Sequence, residues 1–375
     1  RSLVLLKNKD NILPLDKNNI KTIAVIGPNA SSRDALVGNY TGTSSRYITP
    51  LEGIQQYLGD DAEVLYAEGC HLYKNKVEFL AEEKDRFAEA VIAAERSDAV
   101  IMCLGLDATI EGEEGDAGNE YASGDKPGLK LPGLQQELLE TVTATGKPVI
   151  LVLLAGSAID LSWADNNVDA IICAWYPGAR GGKAVAETIF GENSPSGSLP
   201  VTFYADTKEL PDFCDYSMKN RTYRYTRCKV LYPFGYGLSY TDILYHDASI
   251  NCTECDVKDS VIIKTKVTNK GKYSINESVQ VYIKHINGED YEPGYQLKGI
   301  NNIFLEPGVT MEVETRLNAR DFAVIKQDGQ CAAIPGNYII SIGGHQPDKR
   351  SEELTGCKAE TFVIKRTGEE TEIEY

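Results

Sequence analysis

Short apolar runs alternate with longer segments of helical periodicity between residue 20 and about residue 200. The runs predict strands and the periodic segments predict helices. In chain order, the predicted strands are Lys21–Gly27, Glu63–Tyr66, Asp98–Leu106, Pro148–Leu154 and Val168–Ala174, and the predicted helices are Glu78–Glu95, Leu134–Thr145 and Gly182–Phe190. Strands that are apolar throughout and separated by helices indicate an α/β sandwich, whose mostly parallel sheet is flanked by helices on both faces.

The pattern changes after Tyr245, where helical periodicity disappears and short strands recur with turn signals between them. The clearest of these predicted strands are Ser260–Val267, Glu277–His285, Thr310–Leu317, Gly336–Gly343 and Glu360–Ile364. About six or seven short strands in roughly 125 residues are typical of an all-β sandwich. We therefore expect an α/β domain over residues 1–200, an ordered interdomain linker over 201–244 and an all-β domain over 245–375.

The charge balance argues against a nucleic-acid partner. The chain has 38 Lys and Arg residues against 55 Asp and Glu, which gives a formal net charge of -17. Nucleic-acid binding requires clustered positive charge, and no segment supplies it. No apolar run approaches the roughly 20 residues that span a bilayer, so the sequence predicts no membrane partner either. A small or neutral ligand is the expectation.

The N-terminal residues do not resemble a signal peptide, because the apolar core of Arg1–Lys7 is too short and no small-residue cleavage site follows it. The chain has no initiator Met, and Leu3–Leu6 already predicts a strand, so we expect it to begin inside a larger protein. Nine cysteines without a repeating framework favour a reducing compartment. A cytoplasmic location is the resulting prediction.

An acidic stretch follows the predicted strand Asp98–Leu106. Thr109–Asp116 contains four carboxylates and two glycines within eight residues. Ligand sites in parallel sheets lie outside the carboxyl ends of the strands, which makes this stretch a candidate site. The alternatives are a solvated surface loop and a calcium site, although the alternating Asp residues and terminal Glu of an EF-hand are absent.

Other motifs offer weaker hypotheses. Cys252–Cys255 has the C-x-x-C spacing, but a structural zinc site needs a second ligand pair, and no local pair is present. Gly27-Pro28 follows a strand, yet proline lacks the amide that a nucleotide phosphate would need. Trp175-Tyr176 is a candidate for stacking on a sugar ring, although aromatic residues at a strand end are more often part of the core.

A series of motifs runs in a consistent order along nearly the whole chain. They are Ser2–Asn8, Val25–Ala30, Gly38–Gly42, Thr49–Gly53, Gly105–Glu114, Leu131–Gln135, Trp175–Gly178, Pro195–Pro200, Tyr232–Tyr240, Val279–Tyr282 and Pro335–Tyr338. This order resembles the C-terminal two-thirds of family 3 glycoside hydrolases of the β-xylosidase and β-glucosidase type. The resemblance implies a (β/α)8 barrel with an aspartate nucleophile, then an α/β sandwich that lends the acid/base, and then a fibronectin type III-like domain.

Nothing in these 375 residues resembles the barrel strand that would hold the nucleophile. We therefore expect the N-terminal barrel domain of the same parent protein to complete the active site, and the chain alone to be inactive. The implied substrate is an oligosaccharide or glycoside, and the resemblance implies no cofactor and no metal. A homodimer is a further possible assembly.

The acidic stretch is the expected source of the acid/base. A retaining glycosidase needs two carboxyl groups about 5 Å apart, of which one must hold a proton near neutral pH. Crowding by other carboxylates favours the protonated form, and Glu111, Glu113 and Glu114 supply such crowding. By resemblance the acid/base is Glu113, the Glu of the pattern x-G-E-x. Glu111 is the rival, because some members have Glu-Ala-Glu at this point.

The sequence as a whole predicts part of a retaining exo-acting β-glycosidase, a β-xylosidase or β-glucosidase that hydrolyses O-glycosyl bonds. It departs from many relatives after the acidic stretch, where it lacks an Asp-Arg pair and has a longer loop, Gly115–Asp125. The alternative is a noncatalytic carbohydrate-binding or scaffold fragment.

Overall fold

The computed structural model describes residues 1–76, 78–111, 128–208, 210–212, 214–289 and 292–374. The chain divides into two compact units, of which the first contains Arg1–Gly197 and Tyr204–Thr207 and the second Ser198–Phe203 and Lys208–Tyr375. The domain boundaries that we placed at residues 200 and 244 remain predictions. Within the described ranges, no helix combines the length and apolar character that a bilayer crossing requires.

The first unit is built on a six-stranded sheet in the order β1-β6-β5-β4-β2-β3. Its strands are β1 Val4–Asn8, β2 Thr22–Ile26, β3 Glu63–Ala67, β4 Ala99–Gly105, β5 Val149–Leu154 and β6 Ala170–Cys173. Its helices are α1 Pro50–Leu58, α2 Phe87–Glu95, α3 Gln135–Thr143, α4 Ser162–Asn167 and α5 Gly181–Ile189, with single 3-10 turns at Lys9–Asn11, Lys17–Asn19 and Asp34–Leu36. Strands β2 to β6 are parallel and β1 is antiparallel to β6. The predicted mostly parallel sheet is confirmed.

The central strands are buried along their whole length. Every residue of β4, β5 and β6 is buried, as a strand covered on both faces requires. This explains why continuous apolar runs predicted these strands correctly.

Helices α1 and α5 pack against each other through two glycines. A capping box of Thr49 and Glu52 begins α1. A β-carbon at Gly53 would lie 2.1 Å from the carbonyl oxygen of Gly182, and one at Gly182 would lie 1.8 Å from the carbonyl oxygen of Thr49. The two helix backbones can approach this closely only because both positions lack a side chain.

The helix predicted over Glu78–Glu95 is wrong in its first half, because α2 begins only at Phe87. Phe79 and Leu80, which the periodicity assigned to the core, are 97% and 90% exposed. Lys84 has a φ of 63°, a left-handed conformation that an α-helix cannot contain. Residues 78–86 therefore have apolar side chains at helical spacing although they do not form a helix.

The second unit is mainly a β-sandwich. Strand β7 Phe203–Tyr204 has one residue in each unit. The remaining strands of the second unit are β8 Val230–Tyr232, β9 Ile243–Ile250, β10 Glu254–Asp256, β11 Val261–Asn269, β12 Ile275–His285, β13 Gln296–Leu305, β14 Thr310–Leu317, β15 Ala323–Ile325, β16 Cys331–Ala333, β17 Gly336–Gly343, β18 Glu360–Thr367 and β19 Thr371–Glu372. Its helices are α6 Thr222–Tyr225 and α7 Lys349–Thr355, with a 3-10 turn at Ala319–Phe322. A five-stranded sheet, β10-β18-β17-β12-β13, faces a three-stranded sheet, β14-β11-β9, across a shared apolar core, and β15-β16-β19 form a small third sheet.

The sandwich strands alternate between core and solvent. In β11 every second residue, beginning with Val261, is fully buried, so that one face packs on the core and the other contacts water. The predicted all-β sandwich is confirmed. Strand β13 was not predicted, because Gly299 and the pair Asn301-Asn302 resemble a turn. Pairing with β12 holds these residues in a strand despite that local preference.

The Tyr- and Gly-rich segment before β9 packs on β12 within the second unit. Tyr236 is buried and stacks on Tyr232, whereas Phe234 is half-buried and stacks on Tyr223 at a ring distance of 4.0 Å. Gln280 of β12 donates from Nε2 to the carbonyl oxygen of Gly235 at 3.0 Å. The segment is ordered by these contacts, and its predicted role as a linker between domains remains a prediction.

Candidate functional site

The strand order of the first unit creates a switch point between β2 and β4. Counted along the chain, the five parallel strands lie in the spatial order second, first, third, fourth, fifth. From β2 the chain adds β3 on one side, and from β3 it crosses over to add β4 on the other side of β2. The direction in which strands are added therefore reverses between β2 and β4. Ligands of such sheets bind outside the carboxyl ends of the strands at this point. The loops that follow β2 and β4 are the natural candidates for a site.

Asn29 joins these two loops. Its side chain is fully buried and donates from Nδ2 to the carbonyl oxygen of Leu106 at 2.8 Å, while its backbone N–H donates to Cys103 at 3.3 Å. Gly27, two residues earlier, has a φ of 123°, and a β-carbon there would lie 2.2 Å from the Cys103 carbonyl oxygen. Glycine is therefore required where the end of β2 approaches β4.

Gln135 supports the end of β4 from α3. Its buried amide accepts from the N–H of Gly105 at 2.8 Å and donates to the carbonyl oxygens of Gly105 at 2.8 Å and Leu72 at 2.6 Å. These bonds satisfy backbone groups at the point where the strand ends, which would otherwise be buried without partners.

Asp107 shapes the first turn after β4. Its carboxylate accepts from the N–H of Thr109 at 2.8 Å and from the Thr109 hydroxyl at 2.6 Å, as in an Asx turn. Its carbonyl oxygen accepts from the N–H groups of Ile110 at 3.0 Å and Glu111 at 3.1 Å. The turn brings Glu111 to the ends of the neighbouring strands.

The Glu111 carboxylate is bound to the loops that follow β5 and β6. Its Oε2 atom accepts from the backbone N–H of Gly156 at 2.7 Å, in the loop after β5, and from the hydroxyl of Tyr176, in the loop after β6. On the backbone side, Asn39 donates from Nδ2 to the Glu111 carbonyl oxygen at 2.9 Å. Three separate segments therefore fix the start of the acidic stretch. We call Glu111, Gly156 and Tyr176 the strand-end clamp.

Tyr176 is held in place by its environment as well as by Glu111. Burial, and after it the hydrogen bond to Glu111, raises the pKa of Tyr176, so its hydroxyl remains a donor across the physiological range. The preceding residue, Trp175, has a φ of 58° and donates from Nε1 to the carbonyl oxygen of Ser2 at 3.1 Å. A non-glycine residue in this left-handed region costs of the order of 1 kcal/mol or more, which the surrounding contacts offset.

Two of the three glutamates that the sequence singled out, Glu113 and Glu114, lie outside the described residues, and Glu111 lies within them. Which glutamate is the acid/base stays a prediction. Asn39 and Gly156, which hold Glu111, were not singled out from the sequence. Asn39 lies within a motif of the resemblance, but nothing in the sequence indicated its partner.

Calcium at the acidic stretch and zinc at Cys252–Cys255 were the weaker alternatives from the sequence. Across the described ranges, no group of three or more His, Cys, Asp or Glu side chains is arranged to hold a metal ion. Cys252 and Cys255 contact each other, with 3.1 Å between their sulfur atoms.

Comparison with known protein families identifies both units. Residues 3–240 match the model of the glycosyl hydrolase family 3 C-terminal domain, and residues 277–346 match the fibronectin type III-like domain. Among characterised relatives, the chain is 35% identical to a β-xylosidase of Formosa agariphila, over 92% of this chain and 47% of the relative. It is 32% identical to the periplasmic β-glucosidase of Salmonella typhimurium, over 91% of this chain and 47% of the relative.

A solved structure shows the same fold. The chain matches a β-glucosidase from Erythrobacter marinus with a TM-score of 0.81 and 31% identity, over 97% of this chain and 49% of that one. The chain therefore spans about half the length of the relatives that it matches.

Proposed function

Because this chain belongs to glycosyl hydrolase family 3, we propose that it supplies the acid/base part of the active site of a retaining exo-acting β-glycosidase. One observation carries the proposal most directly. The acidic stretch begins at the carboxyl end of β4, beside the switch point, and its first glutamate is bound to the loops after β5 and β6. A loop that served only for solubility would not need this clamp.

The chemistry requires a second carboxylate from outside the chain. In a retaining mechanism one carboxylate attacks the anomeric carbon, while the other protonates the leaving oxygen and later activates water. We propose that the nucleophile belongs to an N-terminal barrel domain of the same protein. The coverage of about half of each relative supports this division.

We assign the acid/base role to Glu113 and a positioning role to Glu111. Oε2 of Glu111 accepts two hydrogen bonds, from Gly156 and Tyr176, so this oxygen is already engaged in holding the loop. A general acid must present a proton to the leaving group. Glu111 is better suited to hold the loop than to perform the proton transfer.

The proposed substrates are plant-derived oligosaccharides, from whose non-reducing ends the enzyme removes single xylose or glucose units. The names of the relatives, β-xylosidase and β-glucosidase, support this class. Comparing kcat/KM on aryl xyloside and aryl glucoside with the full-length protein would decide between the two sugars.

The test of the acid/base uses the full-length protein that contains this chain. Glu113→Ala is expected to abolish hydrolysis of substrates with poor leaving groups and to spare the first step for dinitrophenyl glycosides, whose leaving group departs without protonation. Azide should then restore turnover, because it attacks the glycosyl intermediate without a general base.

Glu111→Ala is the matched control, for which we expect lower activity on all substrates and no azide rescue. Rescue of Glu111→Ala instead of Glu113→Ala would reverse the assignment.

The isolated 375-residue chain should show no turnover, and turnover at a full enzymatic rate would place the nucleophile within it. If the full-length protein has no activity on any glycoside, the chain is a noncatalytic fragment.

A further inference from the structure

The second unit contains a pair of cysteines that the proposed glycosidase chemistry does not use. Cys252 lies in the turn before β10 and Cys255 lies within that strand, at the edge of the five-stranded sheet. Both are partly exposed, and the thiol of Cys252 donates to the sulfur of Cys255 at 3.1 Å. A disulfide bond is about 2.05 Å long, so a small movement would join them.

A buried arginine faces this pair. Arg366 lies opposite Cys255 in the parallel pairing of β10 with β18, and it is only 1% exposed. Its Nη1 atom donates to the sulfur of Cys255 at 3.2 Å, and its Nη2 atom donates to the carbonyl oxygens of Val257 at 2.7 Å and Asp259 at 2.9 Å. The guanidinium also lies 4.4 Å from the ring centre of Phe322.

None of these partners carries a full negative charge. Within the described part of the chain, no carboxylate forms an ion pair with Arg366, and its Nε atom is buried without a hydrogen-bond partner. An arginine remains protonated in proteins, and an uncompensated buried charge is costly. The Cys255 sulfur is the contacting group that can become an anion, and as a thiolate it would neutralise the guanidinium.

The two cysteines are therefore not equivalent. Burial, followed by the hydrogen bond to Cys255, raises the pKa of Cys252 to about 11, so this thiol keeps its proton at neutral pH. A protonated Cys252 can donate to a Cys255 thiolate, which the Arg366 guanidinium contacts from the other side. Cationic neighbours and a donor thiol are the features that make a cysteine nucleophilic.

We propose that Cys252 and Cys255 form a redox-active dithiol that exchanges with low-molecular-weight disulfides such as glutathione disulfide. The Cys255 thiolate attacks one sulfur of glutathione disulfide, forms a mixed disulfide and releases one glutathione thiolate. The small fraction of Cys252 that has lost its proton to solvent then attacks the Cys255 sulfur, and the second glutathione leaves as a thiolate. The protein loses two hydrogens, and one glutathione disulfide is reduced to two glutathione molecules.

Five of the seven remaining cysteines provide a contrast. Burial raises the pKa of Cys70 and of Cys173 to about 12, and it raises the pKa of Cys103 further. Cys214 and Cys357 are exposed and serve as surface controls. Exposure alone permits a glutathione adduct, whereas an internal disulfide requires a second thiol within reach.

The sequence makes the test direct. Trypsin cleavage after Lys229 and Lys258 gives a peptide, residues 230–258, whose only cysteines are Cys252 and Cys255. The folded chain is equilibrated in glutathione buffers of rising disulfide content, alkylated and digested. We expect the peptide to change from doubly alkylated to unalkylated with a loss of two hydrogens, while the peptides with Cys214 and Cys357 gain at most glutathione adducts.

Two single variants identify the nucleophile. Cys252→Ser should trap a mixed disulfide on Cys255, and Cys255→Ser should form its adduct roughly tenfold more slowly, because Cys252 does not contact the guanidinium. Arg366→Lys in the Cys252→Ser background should slow adduct formation, provided that circular dichroism shows a folded chain.

The proposal is wrong if the 230–258 peptide stays doubly alkylated in every buffer, or if it accumulates two glutathione adducts without an internal disulfide. Faster adduct formation by Cys255→Ser than by Cys252→Ser would overturn the assignment of the nucleophile. These outcomes do not depend on the Arg366 variant or on glycosidase activity.

Discussion

Each unit contains a tyrosine whose hydroxyl donates a hydrogen bond to a glutamate. The two tyrosine–glutamate pairs differ in which segments they connect. In the first unit Tyr176 donates to Glu111, and the bond ties the loop after β4 to the loop after β6. In the second unit Tyr245 of β9 donates to Glu277 of β12 at 2.6 Å. Because β9 and β12 belong to opposite sheets, that bond joins the two layers of the sandwich.

The same chemical pair therefore has two different structural roles. In the first unit it fixes a segment at the carboxyl edge of the sheet, where sheets of this type bind their ligands, and the strands themselves need no such help because they are buried throughout. In the second unit it lies beside Gly344, where a β-carbon would be 2.8 Å from Glu277 Oε1. We infer that the first pair affects activity more than stability, and that the second affects stability more than activity.

The largest effect is expected for a variant of Gln135, whose buried amide supports the backbone at the carboxyl end of β4. Gln135→Ala leaves the backbone groups of Gly105 and the carbonyl of Leu72 without their side-chain partner. We expect the free energy of unfolding to fall by about 2–4 kcal/mol in urea titration, because buried unsatisfied groups are costly. Its neighbour Gln136 is only partly buried and donates to Glu140 in an exposed hydrogen bond of 2.9 Å, so Gln136→Ala should change the free energy of unfolding by less than about 0.5 kcal/mol. Equal values for the two variants would contradict this account of Gln135.

The next prediction addresses the clamp directly. Tyr176→Phe in the full-length protein removes one of the two donors to the Glu111 carboxylate. We expect kcat/KM on aryl glycosides to fall about 10- to 100-fold, since small displacements of a catalytic loop have effects of this size. The free energy of unfolding should change by no more than about 1 kcal/mol. Unchanged kcat/KM would show that the clamp does not position the reacting groups.

Tyr245→Phe is the matched variant in the sandwich. It leaves the Glu277 carboxyl without its donor, so we expect the free energy of unfolding to fall by about 1–2 kcal/mol. The kcat/KM of the full-length protein should stay within about twofold of the wild type, because the pair lies in the unit without the clamp. If kcat/KM falls by more than about twofold while the free energy of unfolding is unchanged, the distinction between the two pairs is wrong.

The smallest effect is a change in pH dependence. Burial raises the pKa of Glu277 above its ordinary value of 4.5, and the Tyr245 hydrogen bond opposes this shift only in part. A raised folded-state pKa contributes stability that is complete below the unfolded pKa and is lost as pH rises through the folded value. We expect Glu277→Gln to lose less stability than the wild type between pH 4.5 and neutral pH in urea titrations. If the wild type and Glu277→Gln lose stability in parallel as the pH rises, Glu277 is not the source of this pH dependence.

Local sequence signals predicted the elements that burial alone determines. The strands β4, β5 and β6 are apolar throughout, so their runs required no knowledge of their neighbours. Strand β13 was missed because its glycine and asparagines prefer turns, and only pairing with β12 holds them extended. The helix predicted from Glu78 failed because helical spacing does not exclude a left-handed residue such as Lys84.

The site was predictable only in part, for a similar reason. Four carboxylates at the end of a predicted strand pointed to Glu111 and its neighbours. The atoms that hold Glu111 come from Asn39, Gly156 and Tyr176, at sequence separations of 72, 45 and 65 residues. No local pattern links residues so far apart, because the sheet order brings them together.

The contact between α1 and α5 limits how the sequence of the first unit can change over time. A β-carbon at Gly53 or at Gly182 would meet backbone atoms of the facing segment, and not a side chain that a second substitution could shorten. Neither position therefore has a compensating partner, unlike most core sites, where a larger residue can be balanced by a smaller neighbour. Gln55 and Gln56 on the exposed side of α1 are free of this restriction. The helix can accumulate changes on its outer face while its inner contact admits none.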